Sequence, residues 1–174
     1  MAALSVRIHL AEYDPRWNSD YSQLAHRVQT ALADRIIALE HVGSTSVPGL
    51  AAKPVIDMLL TVRDSREETT YVPGLSKQGF TLKIREPDWF EHRVLKSSDI
   101  EANLHVFSAG CEEIDRMLMF RDRLRTHEAD RERYEQAKRE LATREWSSVQ
   151  EYADAKTDIV RSILACSSFS SRKA

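Results

Sequence analysis

Cysteine is nearly missing from this chain, with only Cys111 and Cys166 among 174 residues. Two such residues cannot form a disulfide framework, and neither sits in a CxxC or Cys/His spacing of the kind that holds zinc. An excess of one charge is also missing: 25 basic side chains stand against 27 acidic ones, a formal charge of −2. Long-range attraction to nucleic acid or to an anionic membrane is therefore not written into the whole chain, although a local basic patch stays open. No apolar run reaches the ~18 residues that a membrane-spanning helix needs. The start, MAALSVRIHLAEYDPRW, lacks the basic opening and long apolar core of a secretion signal. The expected setting is the cytoplasm, with neither a nucleic-acid nor a membrane partner.

What is present is ordinary for a globular protein: 42% apolar residues and 30% charged ones. One hydrophobic core commonly serves ~100–200 residues. We expect a single domain over residues 1–166 and a mobile tail, SSFSSRKA, over 167–174.

The periodicity predicts a helix over 16–33, where Trp17, Tyr21, Leu24, Val28 and Ala31 recur at steps of three and four. RIIALEHV (35–42) is β-branched and apolar and reads as a strand. After a Gly- and Pro-bearing loop, VIDMLLTV (55–62) is apolar on both faces, as in a central strand covered on both sides. Residues 64–79 read as partly helical, with Pro73-Gly74 interrupting. Phe80, Leu82 and Ile84 alternate as a strand, and 89–96 with 102–107 read as an antiparallel pair. From Glu112 the chain turns helical. Ile114, Met117, Leu118, Phe120 and Leu124 give one stripe, and Tyr134, Ala137 and Leu141 another. A last helix starts near Ser148, capped in the Ser148/Glu151 spacing. The fold class is α+β bordering α/β, a mixed sheet with helices packed on it.

Asp57 is the strongest local signal. A carboxylate inside an apolar strand costs several kcal/mol to desolvate unless it is paired, hydrogen-bonded or metal-bound. Backbone N–H groups or an arginine would satisfy it as well as a ligand. Gly43-Ser44-Thr45-Ser46 follows a strand directly, and a helix start there would present N–H groups and hydroxyls to a phosphate; a capped turn is the plain alternative. Lys53, at the mouth of the Asp57 strand, is either a phosphate counter-charge or a solvated lysine. Glu40 and His41 end the first strand beside the loop, and strand alternation lets only one of them face the site. A hairpin symmetric about Asp99 sets Arg93 opposite His105 and puts Glu91, Arg93, Asn103 and His105 on one face, a site cluster or a wet sheet surface. Arg121, Asp122, Arg125, Lys138 and Lys156 read as surface charges.

EHVGSTSVPGLAAKPVID, residues 40–57, resembles the signature of the GrpB (UPF0157-type) family, a domain that also extends some bacterial dephospho-CoA kinases at their C-terminus. YDPRW (13–17), NLHVF (103–107), FRDRLRTH (120–127), YEQAKRELA (134–142) and EYADAKTDIV (151–160) resemble further family segments, so the likeness runs over nearly the whole chain. The resemblance implies a nucleotidyltransferase fold of the polymerase-beta type. In that superfamily a Gly-Ser pair grips a nucleoside triphosphate, and an Asp-x-Asp pair with a third carboxylate holds two Mg²⁺ ions. Gly43 and Ser44 match the first pair, with Thr45, Ser46 and Lys53 beside them. Asp57 matches the first aspartate, but position 59 is leucine, so Glu40 is carried as a further metal ligand. Arg93 and His105 would stabilise charge or move a proton alongside Asp57. The activity implied is Mg²⁺-dependent nucleotidyl transfer from a nucleoside triphosphate to an acceptor. The alternatives are a non-catalytic nucleotide- or phosphoester-binding module and a folding-accessory domain that docks a protein partner.

Overall fold

The computed structural model describes residues 5–170, with side chains through Cys166. Residues 171–174, half of the expected tail, fall outside this range. Two short strands, β1 (Val6–Arg7) and β7 (Glu145–Trp146), pair antiparallel near the ends of the chain. Helix α1 (Arg16–Leu32) turns Trp17, Leu24, Ala25, Val28 and Leu32 inward, as its three-and-four spacing requires.

The main sheet is built from β2 (Ala38–Val42), β3 (Ile56–Val62), β4 (Thr81–Glu86), β5 (His92–Ser97) and β6 (Ala102–Ser108), in the order β2-β3-β6-β5-β4. Only the central β3–β6 pair is parallel; every other neighbour is antiparallel. This mixed sheet with flanking helices is the expected α+β architecture. Strand β2 is shorter than expected, because residues 33–35 form a 3₁₀ turn before it.

The sheet has a closed and an open face. Met58, Leu60 and Val62 of β3, Leu104 and Val106 of β6 and Leu95 of β5 pack under α1 and under α2 (Val72–Lys77) in the main core. Each such side chain contributes about 1.5–3 kcal/mol through burial. Pro73 does not interrupt α2. It occupies the first turn, where an amide hydrogen has no helical acceptor to lose.

On the other face lie Asp57, Leu59, Asn103, His105 and Phe107. Leu59 and Phe107 are covered by Ile114, Met117 and Leu118 of α3 (Glu112–Thr126). Helix α4 (Glu128–Ala142) and α6 (Thr157–Ser170) close a second helical core with Val47 and Leu50 of the loop before β3. The single last helix expected from the sequence is two, because the chain breaks at Lys156 between α5 (Val149–Ala155) and α6. Ser148 caps α5 as expected, its Oγ accepting from the Glu151 amide at 3.1 Å. Helix α6 continues to Ser170, through the first residues of the expected tail; 171–174 lie outside the described residues.

Candidate functional site

Gly43 leaves β2 with φ +72°, a left-handed conformation that L side chains resist. Space forbids a side chain there too: a β-carbon on Gly43 would stand 2.6 Å from Oδ2 of Asp57. The loop's glycine therefore exists where the carboxylate comes up against the backbone. Residues Ser44–Ser46 form one 3₁₀ turn rather than a helix start. Ser46 is not aimed at a ligand. Its hydroxyl donates to Gly43 O at 2.6 Å and it is buried, as is Thr45, whose hydroxyl bonds His41 Nε2 at 3.0 Å.

Beside this turn lies a cavity of about 450 Å³ bordered by Ser44, Lys53, Asp57, Asn103, His105 and Lys156, with Lys96 and Lys138 also in its wall. Asp57 is not sealed in the strand: its side chain keeps 31% of its surface, turned to this cavity. Oδ1 accepts from Asn103 Nδ2 at 3.0 Å and meets His105 Nε2 at 3.3 Å. Burial pushes the carboxyl upward, but the His105 and Asn103 bonds outweigh it, and with help from Lys156 they hold Asp57 below the usual carboxylate range. His105 Nδ1 lies 3.1 Å from His92 Nε2, and His92 Nδ1 lies 2.7 Å from Glu86 Oε2. A chain of bonded side chains thus runs from the cavity to the edge strand.

Arg93 is not part of it. The hairpin loop is centred between Asp99 and Ile100, so Val94 faces His105 and Arg93 faces Val106. One residue of slip moves a side chain to the opposite face. Arg93 and Glu91 accordingly leave the Asp57 face. Arg93 donates to Glu68 at 2.7 Å and to Glu91 at 3.1 Å on the closed side. The loop is pinned in this register by Asp99, which takes two bonds from Arg27 and one from Ser97. Glu40 does not reach Asp57 as a second ligand either. It shares the Asp57 face but is held by Arg121 Nη1 at 2.7 Å.

The helical cations read as surface charges belong here instead. Arg121 also donates to His41 O and Arg125 to Ser46 O, so α3 grips a carbonyl at the end of β2 and one in the loop after it. Lys138 is 2% exposed. Its ammonium donates to Ser44 Oγ at 2.9 Å and to Ala51 O, while Glu135, one turn earlier, accepts from the Ala51 amide at 2.9 Å. Burial, and then the charge of Lys156, bring Lys138 down to about 7. Burial also lowers Lys156, whose ammonium lies 4.4 Å from the Tyr152 ring centre; Asp57 opposes that shift and Lys53 adds to it. One sequence signal marked Lys138: it falls four residues after Tyr134 and three before Leu141, on the apolar stripe of α4.

The donor set does not fit a resident Mg²⁺. Among the described residues no grouping of three or more His, Cys, Asp and Glu stands close enough to hold a metal. Leu59, in the place of a second aspartate, is buried against Val42 and Phe107. What the wall offers is ammonium groups, hydroxyls and one carboxylate, a set that binds and neutralises an anion.

Comparison with known proteins places these features in a lineage. A family model described as GrpB protein matches residues 7–165. A UPF0157 protein of Halalkalibacterium halodurans is 59% identical over 157 residues, 90% of this chain and 80% of that protein. A dephospho-CoA kinase of Mycolicibacterium paratuberculosis is 32% identical over 90 residues, 47% of this chain and 22% of that one. The crystal structure of a conserved protein GrpB from Enterococcus faecalis superposes with a TM-score of 0.75 at 29% identity, over 90% of this chain and 98% of that one.

Proposed function

The chain belongs to the GrpB family, and on that premise we propose that its cavity binds the phosphates of a nucleotide or of another phosphorylated small molecule. The observation that carries this reading is the wall itself: four lysines against one carboxylate, beside a glycine-opened turn. Ser44, at the mouth of that turn, is held by Lys138, which donates to its Oγ, and by a bond to the Tyr134 side chain. Tyr152 lines the same wall, with the Lys156 ammonium 4.4 Å from its ring centre. Ile84, Val94 and Val149 supply apolar surface for the organic part of the ligand, as small-molecule sites commonly require.

Nucleotidyl transfer is the second reading. It is favoured by Asp57 lying against Gly43, the pairing of loop and carboxylate that the nucleotidyltransferase likeness implies. In it Asp57 and His105 would take up the acceptor's proton, with Lys53 and Lys156 neutralising the phosphates. The cytoplasm remains the proposed setting for either activity.

Calorimetric titration with ATP, GTP, CTP and UTP tests both. Binding of at least one, lost in Lys156→Met, supports the site. No heat from any of them, with correctly folded protein, rejects it. Release of pyrophosphate during incubation with a triphosphate and candidate acceptors would promote the second reading over the first.

A further inference from the structure

Of the cavity's lysines, Lys138 is buried, Lys53 and Lys156 are half-buried and Lys96 is exposed. Lys138 has no carboxylate among its direct partners: its ammonium donates to Ser44 Oγ and Ala51 O and stands 5.0 Å from the Tyr134 ring centre. The charged groups that act on it are Lys156 across the cavity and Glu135 and Arg139 on its own helix; of these only Glu135 favours its charge. Glu135 is already occupied by the Ala51 amide and by Arg139. Lys156 has Asp57 in its favour and Lys53 against it. Asp57 in turn is already bonded by Asn103 and His105. The protein thus assembles cations round one space and supplies too few anions to balance them. Keeping buried Lys138 charged beside half-buried Lys53 and Lys156 is costly unless a counter-ion completes the set.

A divalent cation makes that balance worse. Mg²⁺ carried in on a triphosphate would cancel part of the ligand's negative charge and bring two positive charges among the lysines. Its one protein ligand would be Asp57, whose Oδ1 already has Asn103 and His105 as partners. Mg²⁺ sites on proteins rest on one or two carboxylates plus substrate phosphates, with water completing the shell. Here the ammonium groups take the place that shell would fill.

We propose that the cavity takes its ligand as a metal-free oligophosphate, with Lys53, Lys96, Lys138 and Lys156 as the counter-charge that a magnesium ion supplies elsewhere. The inference rests on the phosphate-binding reading and narrows it. The ligand carries at least two linked phosphates, because one phosphate cannot meet lysines from the loop (Lys53), from β5 (Lys96) and from the α4 and α5–α6 walls (Lys138, Lys156) together. Mg²⁺ then competes with the protein for the phosphates.

The test is calorimetry with inorganic tripolyphosphate, pyrophosphate and orthophosphate, at matched ionic strength, in EDTA and in excess MgCl₂. In EDTA tripolyphosphate binds most tightly and orthophosphate least, and excess Mg²⁺ weakens tripolyphosphate binding by about tenfold, since free ligand is withdrawn by mass action. Lys156→Met and Lys138→Met each lose the EDTA-phase binding; two variants guard against one that misfolds. Equal or tighter binding in Mg²⁺, or orthophosphate matching tripolyphosphate, overturns the inference and leaves phosphate binding standing. No binding of any probe in either buffer removes the underlying reading as well.

Discussion

Two buried cations, Arg93 on the closed side of the sheet and Lys138 against the open cavity, are kept in opposite ways. Arg93 has a carboxylate on each side. Burial works against its charge, but the bonds from Glu68 and Glu91 more than restore it, and Glu68 is itself drawn down to about 2, chiefly by Arg85 and then by Arg93. That network is finished within the protein. Lys138 has no carboxylate partner and is drawn down toward neutrality. A completed pair belongs to the architecture; a cation left short of anions at a cavity wall is where the proposed ligand would complete the set.

The contrast can be broken most visibly at Arg93. Arg93→Leu strands Glu91 and part of Glu68, and we expect a loss of about 3 kcal/mol in chemical denaturation with tripolyphosphate affinity unchanged. If binding fell as well, the two regions would not be separable.

Lys138→Met reverses the pattern. Affinity drops by at least about thirtyfold, roughly 2 kcal/mol, while the unfolding midpoint stays within a few degrees of the parent, because a buried charge and its desolvation leave together.

Gly43→Ala comes next. The methyl group meets Asp57 Oδ2 and the left-handed turn strains, for an expected cost of about 1–2 kcal/mol together with weaker binding. A thermal melt and a titration of the same preparation check it.

A pH series probes the same lysine through its proton. The Lys138 ammonium loses its proton near 7 in the folded protein and at about 10.5 in the unfolded chain. Between those values the unfolded state binds more protons, so this residue makes stability rise with pH; below 7 its full cost is present. Subtracting the Lys138→Met profile from the parent's isolates that slope. A flat difference between pH 7 and 10 would place Lys138 among the compensated cations.

The strands and helices of the closed face were readable because apolar spacing reports burial directly. Trp17, Leu24 and Val28 announced α1, and the run from Ile56 to Val62 announced a strand covered on both sides. Asp57 and Gly43 stood out for the same reason, as residues that do not belong where periodicity places them. Register was not readable. A loop of Ser98–Glu101 centred between two residues, instead of on Asp99, decides which side Arg93 takes, and the ties of Asp99 to Arg27 and Ser97, with Leu95 packed opposite Leu104, hold that centre. Nor does a helical lysine declare itself buried, since long basic side chains usually reach water. Lys138 was legible only through its position on the stripe between Tyr134 and Leu141.

Ala51 carries one more consequence. Helix α4 holds both polar groups of that residue, the amide through Glu135 and the carbonyl through Lys138. The next residue, Ala52, exchanges two bonds of 2.9 Å with Ala11. An unbroken run of bonds thus joins the Lys138 ammonium, through the 51–52 peptide, to the segment before α1. Hydrogen exchange at the Ala11 and Ala52 amides, with and without tripolyphosphate, would show how far an occupied cavity is felt along it.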